Sequence, residues 1–217
     1  MIRLHHAWQS RSSRSLWLLH EIGLEFDLVV HSFDKSLYDP DYLRLNPAGR
    51  VPALEDGDLV MFETGAICEY LCEKYAPEMG RAPGHAERVA WLQWLHFSET
   101  VAQHLASLTQ QHVVLREDWM RSPTLMKLER MRLERVLGAV ETQLEGQSYI
   151  LPSGFSGVDT SMGYGIAAAE MFTDVSVFPN LSAYLARIRA RPAFVKTLIP
   201  EGARPIYRQS FYETPDV

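Results

Sequence analysis

The chain opens on a two-residue alternation. Ile2, Leu4 and His6 fall on one side of the pattern and Arg3 and His5 on the other, which predicts a short strand. From Ser15 the apolar spacing lengthens to that of a helix, through Leu16, Leu19 and Ile22, and Gly23 ends it. Phe26, Leu28 and Val30 restore the alternation, so residues 2–31 read as a β-α-β unit whose parallel strands need the helix as their crossover. The stretch 32–49 is polar and broken, with Asp39 placed to cap a short helix over 41–45 behind Pro40.

Two more strands are predicted at 51–55 and 59–62, because Asp56-Gly57-Asp58 between them carries the Asp-Gly hairpin signal. Thr64 is placed to cap a helix whose Ile67, Leu71 and Tyr75 form one stripe, and Pro77 stops it. Two prolines and two glycines then break all periodicity, so residues 77–85 read as a linker between a domain at 1–76 and a second at 86–217. Past the linker only helical patterns occur: 89–108, a helix opened by Ser122-Pro123 and running to Gly146, one from Ser156, and one over 179–190. Ser156 followed by Asp159 is a capping-box arrangement with Asp in place of the usual Glu. The expected fold is thus α/β (β-α-β then β-β-α) followed by an all-helical half.

Composition narrows the function. With 217 residues, 47% of them apolar and 22% charged, the chain is long and hydrophobic enough to bury a core, unlike a disordered segment. A net charge of -6 with no basic run argues against nucleic acid as a partner. No apolar run approaches the roughly 20 residues that span a bilayer, and the start lacks a signal-peptide stretch, so the expected location is the cytoplasm. Cys68 and Cys72 sit four apart in a helical pattern and read as reduced structural thiols. The eight histidines show no ligand spacing, and no metal is expected.

Five segments, in order, resemble the cytosolic glutathione S-transferases of the bacterial, serine-using type. They are Ser10-Arg11-Ser12-Ser13-Arg14-Ser15-Leu16-Trp17-Leu18-Leu19, Asn46-Pro47-Ala48-Gly49-Arg50-Val51-Pro52-Ala53-Leu54, Glu63-Thr64-Gly65-Ala66-Ile67, Trp91-Leu92-Gln93-Trp94-Leu95-His96-Phe97, and Pro179-Asn180-Leu181 through Arg191-Pro192-Ala193-Phe194. The resemblance covers nearly the whole chain. It implies a thioredoxin-like N-terminal domain that binds glutathione as co-substrate, an all-helical C-terminal domain holding the electrophile pocket, and a homodimer engaged in detoxification. The same fold hosts transferases, peroxidases, isomerases and non-catalytic interaction proteins.

The chemistry of such a site begins with the thiol. At a pKa near 8.5 it is only a few per cent ionised at pH 7, and conjugation needs the thiolate. A hydroxyl at a helix start stabilises that anion by donating to sulfur while backbone N–H groups and the helix dipole add to it. Ser10 stands four residues before Arg14, where the resemblance places the activating hydroxyl, with Ser12 and then Ser13 as the alternatives; otherwise Ser10 or Ser12 is a plain helix cap. The resemblance further implies that Pro52 follows a cis bond and that the backbone of Val51 pairs with the cysteinyl part of glutathione. Glu63 and Thr64, opening a helix, suit the γ-glutamyl end, and the Arg50 guanidinium suits the glycyl carboxylate. Trp8, Phe97, Thr100 and His104 are the candidates for the electrophile pocket, while Trp91, Trp94 and Leu95 read as core.

Overall fold

A computed structural model describes residues 1–215. The chain divides into two compact units: Met1–Arg88 joined by Arg189–Ile206, and Val89–Ile188 joined by the tail from Tyr207. Among the described residues no helix is long and apolar enough to cross a membrane.

The first unit is built on a four-stranded sheet of β1 (Ile2–His6), β2 (Phe26–Val30), β3 (Ala53–Asp56) and β4 (Leu59–Phe62) in the order β2-β1-β3-β4. Strand β1 runs parallel to β2 and antiparallel to β3, and β4 closes the β3 hairpin over Gly57, whose φ of 63° suits the turn. Helix α1 (Ser13–Ile22) supplies the crossover, and it ends where Gly23 takes a left-handed conformation and donates to the carbonyl of Leu19 at 3.1 Å. Helix α2 (Pro40–Leu43) is a single turn, and α3 (Thr64–Tyr75) packs Ile67, Leu71 and Cys72 into the core with Leu4, Leu16, Leu18 and Leu54. The β-α-β/β-β-α order expected of a thioredoxin-like domain is therefore present.

Local physics shifts several boundaries. Helix α1 begins two residues before the apolar stripe because Ser13 and Arg14 are buried rather than exposed, so hydrophobic spacing does not mark them. The third strand begins at Ala53, after the cis peptide Val51–Pro52, because ladder pairing with β1 starts only at the partner of His5. The segment 189–206 returns to the first unit. There α8 (Pro192–Val195) follows Arg191, whose guanidinium pairs with both oxygens of Glu21 at 2.6 and 2.7 Å, and Phe194 meets the edge of Trp17 at 4.9 Å. Trp17 also donates to Glu21 at 2.8 Å, so a charge-assisted pair and an aromatic contact hold the same corner.

At the far end of β3, Asp56 accepts from Tyr70 at 2.7 Å, from Lys74 at 2.8 Å and from Tyr75. The Lys74 and tyrosine donors hold its carboxyl well below the ordinary carboxylate range. A folded-state pKa below the unfolded value means stability present near neutrality and lost as acid protonates the carboxylate. The melting temperature should therefore fall as pH drops below about 4, and Asp56→Asn should flatten that acid slope; thermal scans between pH 2 and 6 measure both.

The second unit is helical. It comprises α4 (Arg88–Thr109), α5 (Pro123–Gln143), α6 (Gly157–Ala169) and α7 (Pro179–Arg189). Trp91, Leu95, Val101 and Leu108 of α4, Leu133 and Leu137 of α5, and Val158, Met162 and Ile166 of α6 make the core. The C-terminal turn of α4 widens into a π-type turn over Gln110–Val114 instead of stopping at Leu108. Ser122 caps α5 by accepting from Leu125 at 3.2 Å, with Pro123 in the first turn. Ser156 and Asp159 form the expected reciprocal capping box at α6. Helix α7 is capped from a neighbour: the Glu141 carboxylate on α5 accepts from the backbone N–H of Asn180 and of Leu181. The tail docks through its aromatics. Tyr207 reaches Thr109 at 2.9 Å, Tyr212 donates its N–H to the carbonyl of Met171 at 2.8 Å, and its ring stacks on Phe172. The last two residues of that tail lie outside the described residues.

Candidate active site

Register places the pieces of the site at one end of the sheet. His5 near the exit of β1 faces Ala53 at the entry of β3, and Ala53 faces Phe62 at the exit of β4. The loop after β1 carrying Ser10 and Ser12, the loop before β3 carrying Arg50, Val51 and Pro52, and the residues after β4, Glu63 and Thr64, therefore share that end. Arg14 ties two of these together, since its buried guanidinium donates to Thr64 Oγ1 at 3.2 Å.

The loop from β1 into α1 is held by its serines. Ser10 Oγ donates to the carbonyl of Ala7 at 2.7 Å and lies 2.7 Å from Ser12 Oγ. Ser12 is the residue that precedes α1, yet its hydroxyl makes no cap to the helix. It turns back instead, accepting from the N–H of Ala7 at 3.2 Å and meeting His6 Nδ1 at 2.7 Å. Ser10, Ser12 and Ser13 are all buried, with Ser12 fully so. Gln9 has a positive φ of 59°, and its side chain accepts from the N–H of Ile206 at 2.8 Å, which pins this loop to the returning segment.

The loop before β3 is held by side chains that hydropathy patterning does not single out. The Tyr42 hydroxyl and Asn46 Nδ2 both donate to the Arg50 carbonyl at 2.7 Å, and Asn46 also reaches the carbonyl of Pro52 at 3.2 Å. Burial pushes the Tyr42 phenol up to about 12, so it stays a donor at every physiological pH. Gly49 takes a φ of 60°, a left-handed conformation that favours glycine, and a Cβ there would crowd the Leu37 carbonyl at 3.1 Å. The Val51–Pro52 bond is cis. The Arg50 side chain is exposed, as is Glu63, whose φ of 75° is unusual for a residue with a Cβ. Thr64 follows, buried, as the first residue of α3.

The four residues expected at an electrophile pocket divide between the units. Trp8, half-buried, sets its ring edge-on to His6 at 4.7 Å in the first unit. In the second, Phe97 and Thr100 are half-buried on α4, whereas His104 is buried with Nδ1 2.8 Å from the Glu129 carboxylate, which also accepts from Arg132. Trp91, Trp94 and Leu95 are core, as their spacing implies. His6, Tyr42 and Asn46 support the candidate residues without having been given a role from the sequence. The one usable signal was a histidine on the same face of β1 as Ile2 and Leu4, a polar residue pointing with the apolar set.

Comparison with known proteins identifies the family. The family model for the glutathione S-transferase N-terminal domain matches residues 1–73. Glutathione S-transferase 3 of Zea mays is 31% identical over 189 residues, covering 83% of this chain and 85% of the relative. A probable glutathione S-transferase of Oryza sativa is 29% identical over 191 residues, covering 85% of this chain and 89% of the relative. Among solved structures, the theta class glutathione S-transferase of Xanthomonas axonopodis pv. citri, with glutathione bound, superposes with a TM-score of 0.81 at 28% identity over 92% of this chain and 97% of that one. On the similarity to the maize protein across most of both chains, and on the fold that accompanies it, this chain belongs to the glutathione S-transferase family.

Proposed function

We propose that the chain is a glutathione transferase that binds glutathione at the sheet end described above and activates its thiol through Ser10. The observation that carries this reading is the Ser10 hydroxyl, placed in the turn that leads into α1 and already acting as a donor, to the Ala7 carbonyl at 2.7 Å. A thiolate brought to that hydroxyl accepts the same hydrogen. The thiol proton leaves to solvent, and the sulfur lone pair then attacks the electrophilic carbon, either displacing a leaving group with its electron pair or adding to an activated double bond whose resulting carbanion takes a proton from solvent. Around it, Val51 and Pro52 face the cysteinyl backbone, Glu63 and Thr64 take the γ-glutamyl end, and Arg50 meets the glycyl carboxylate. The electrophile is small and hydrophobic, and Phe97 and Thr100, half-buried on α4, are the candidates to contact it in the helical unit. The protein works in the cytoplasm as a homodimer, for which light scattering should give about 50 kDa, twice the 24.8 kDa of one chain.

Retention on immobilised glutathione, followed by elution with free glutathione, tests the binding half. A panel of a chloro-nitrobenzene, a hydroperoxide and a maleyl-type substrate tests the chemistry. Conjugation of the first is the expected result. Activity on only the second or third would reassign the reaction to peroxide reduction or isomerisation, and glutathione binding with silence on all three would leave a non-catalytic binding protein.

A further inference from the structure

Behind Ser10 runs a buried chain of polar contacts that the activation step does not itself require. His6 Nδ1 lies 2.7 Å from Ser12 Oγ, Ser12 Oγ lies 2.7 Å from Ser10 Oγ, and Ser10 Oγ lies 2.7 Å from the Ala7 carbonyl oxygen. Each of these contacts needs a hydrogen, and each hydroxyl owns one. The carbonyl owns none, so the last contact uses the Ser10 hydrogen. The middle contact must then use that of Ser12, for which the 3.3 Å approach to the Ala7 carbonyl is the weaker alternative. Only a hydrogen on Nδ1 remains to close the contact at His6.

The rest of the geometry fits that assignment. Ser12 Oγ accepts from His6 and from the Ala7 N–H, and Ser10 Oγ accepts from Ser12 and from the Ser12 N–H at 3.2 Å. With its acceptor positions taken, Ser10 has one remaining role, that of donor. His6 Nε2 is buried without a hydrogen-bond partner, which a bare ring nitrogen tolerates better than an orphaned N–H. Burial drives the His6 pKa down to about 4, so the ring is neutral at pH 7 and carries one hydrogen, not two.

We propose that His6 is a positioning residue for glutathione activation: its Nδ1–H fixes the direction of the hydrogen-bond chain, so that Ser10 is held as a donor toward Ala7 in the free protein and toward the sulfur when thiolate binds. This rests on the role given to Ser10 above. No proton travels along the chain. His6 and Ser12 keep their hydrogens throughout, and each donated bond polarises the next hydroxyl, making Ser10 a stronger donor than an isolated serine.

Nitrogen-15 NMR of the labelled protein reads the tautomer directly. The expected result at pH 7 is a neutral His6 ring with the hydrogen on Nδ1 and the downfield shift of an unprotonated nitrogen at Nε2. A hydrogen on Nε2 with bare Nδ1, or an imidazolium, would overturn the proposal, and this measurement needs no variant to fold. Kinetics supply the second arm. His6→Leu should lower turnover roughly five- to tenfold with little change in the KM for glutathione and should move the alkaline rise of the pH profile upward. His6→Asn, which keeps a short N–H donor, should recover most of the loss. On a Ser10→Ala background His6→Leu should have no further effect, since the chain then ends on nothing. A folded His6→Leu with a wild-type pH profile, or a loss that simply multiplies with that of Ser10→Ala, refutes the positioning role alone. A Ser10→Ala variant with unchanged kinetics refutes the reading of Ser10 on which it stands.

Discussion

Ser10→Ala is expected to lower turnover by roughly ten- to a hundredfold while leaving glutathione affinity little changed, because it removes a charge-assisted hydrogen bond worth about 1.5–3 kcal/mol from the thiolate. The binding contacts proposed at Val51, Glu63 and Thr64 stay in place, so the loss belongs to the ionised sulfur and not to the bound tripeptide. The sign follows from that. Without the donor the bound thiol's pKa rises, the pH profile shifts upward, and the deficit shrinks in alkaline buffer where the thiol ionises unaided. The fold should tolerate the change, since the Ser12 hydroxyl already stands 3.3 Å from the carbonyl that Ser10 leaves. Initial rates against pH, with the absorbance of bound thiolate as a direct titration, measure both parts. A variant with full turnover at pH 7 would shift the activation to backbone N–H groups and the helix dipole. If Ser12→Ala alone raises the profile, the activating hydroxyl is two residues farther along the chain.

The second large effect is on stability. Asp159 is completely buried at the start of α6, and its carboxylate accepts from the N–H of Ile150 at 3.1 Å, the N–H and hydroxyl of Ser156 at 2.8 and 3.3 Å and the Tyr184 hydroxyl at 3.1 Å. Burial pushes its pKa up to about 6 against these incoming hydrogen bonds, so the ionised acceptor still predominates at pH 7. Asp159→Ala strips the acceptor from four buried donors and removes half of the capping box. The expected cost is about 3–5 kcal/mol, a large share of the 5–15 kcal/mol that folded domains have. Asp159→Asn should cost less, because one amide oxygen survives while the NH2 opposes an N–H donor. Urea unfolding at constant m-value measures the difference. A loss below about 1 kcal/mol for the alanine variant would mean that these donors find other acceptors.

Those two predictions stand on different kinds of legibility. The capping box could be read in the sequence because it is local: Ser156 and Asp159 are three residues apart, and the spacing of a helical turn brings them together whatever else surrounds them. The contacts that should make Asp159 costly to remove could not be read, since Ile150 and Tyr184 reach it from nine and 25 residues away. Ser10 was legible only through its resemblance to a family motif, and three neighbouring serines left its register open. The structure distinguishes them by what each hydroxyl touches: Ser10 and Ser12 are linked to one another and to the Ala7 backbone, whereas Ser13, also buried, has no hydrogen-bond partner for its Oγ. His104 shows the same gap from the other side. A histidine one helical turn past Thr100 suits a ligand pocket by spacing, and no spacing rule shows that Glu129 of α5 holds its ring.

The sequence by itself determined the elements and their order: the alternation of β1, the stripe of α1 ending at Gly23, the Asp-Gly hairpin, and the caps at Ser122 and Ser156. Each is decided by neighbours within a turn or two, where backbone geometry makes the contact unavoidable. Tertiary structure decided the rest. It sent residues 189–206 back to the first unit through Arg191 and Phe194, and it buried His6 behind Ser12. It also hung the Arg50 carbonyl on Tyr42 and Asn46. The first joins groups 170 residues apart, and the others join near neighbours through loops whose path no helix or strand spacing fixes. Their partners are selected by the satisfaction of buried donors and acceptors, a condition that exists only after the chain has closed around them.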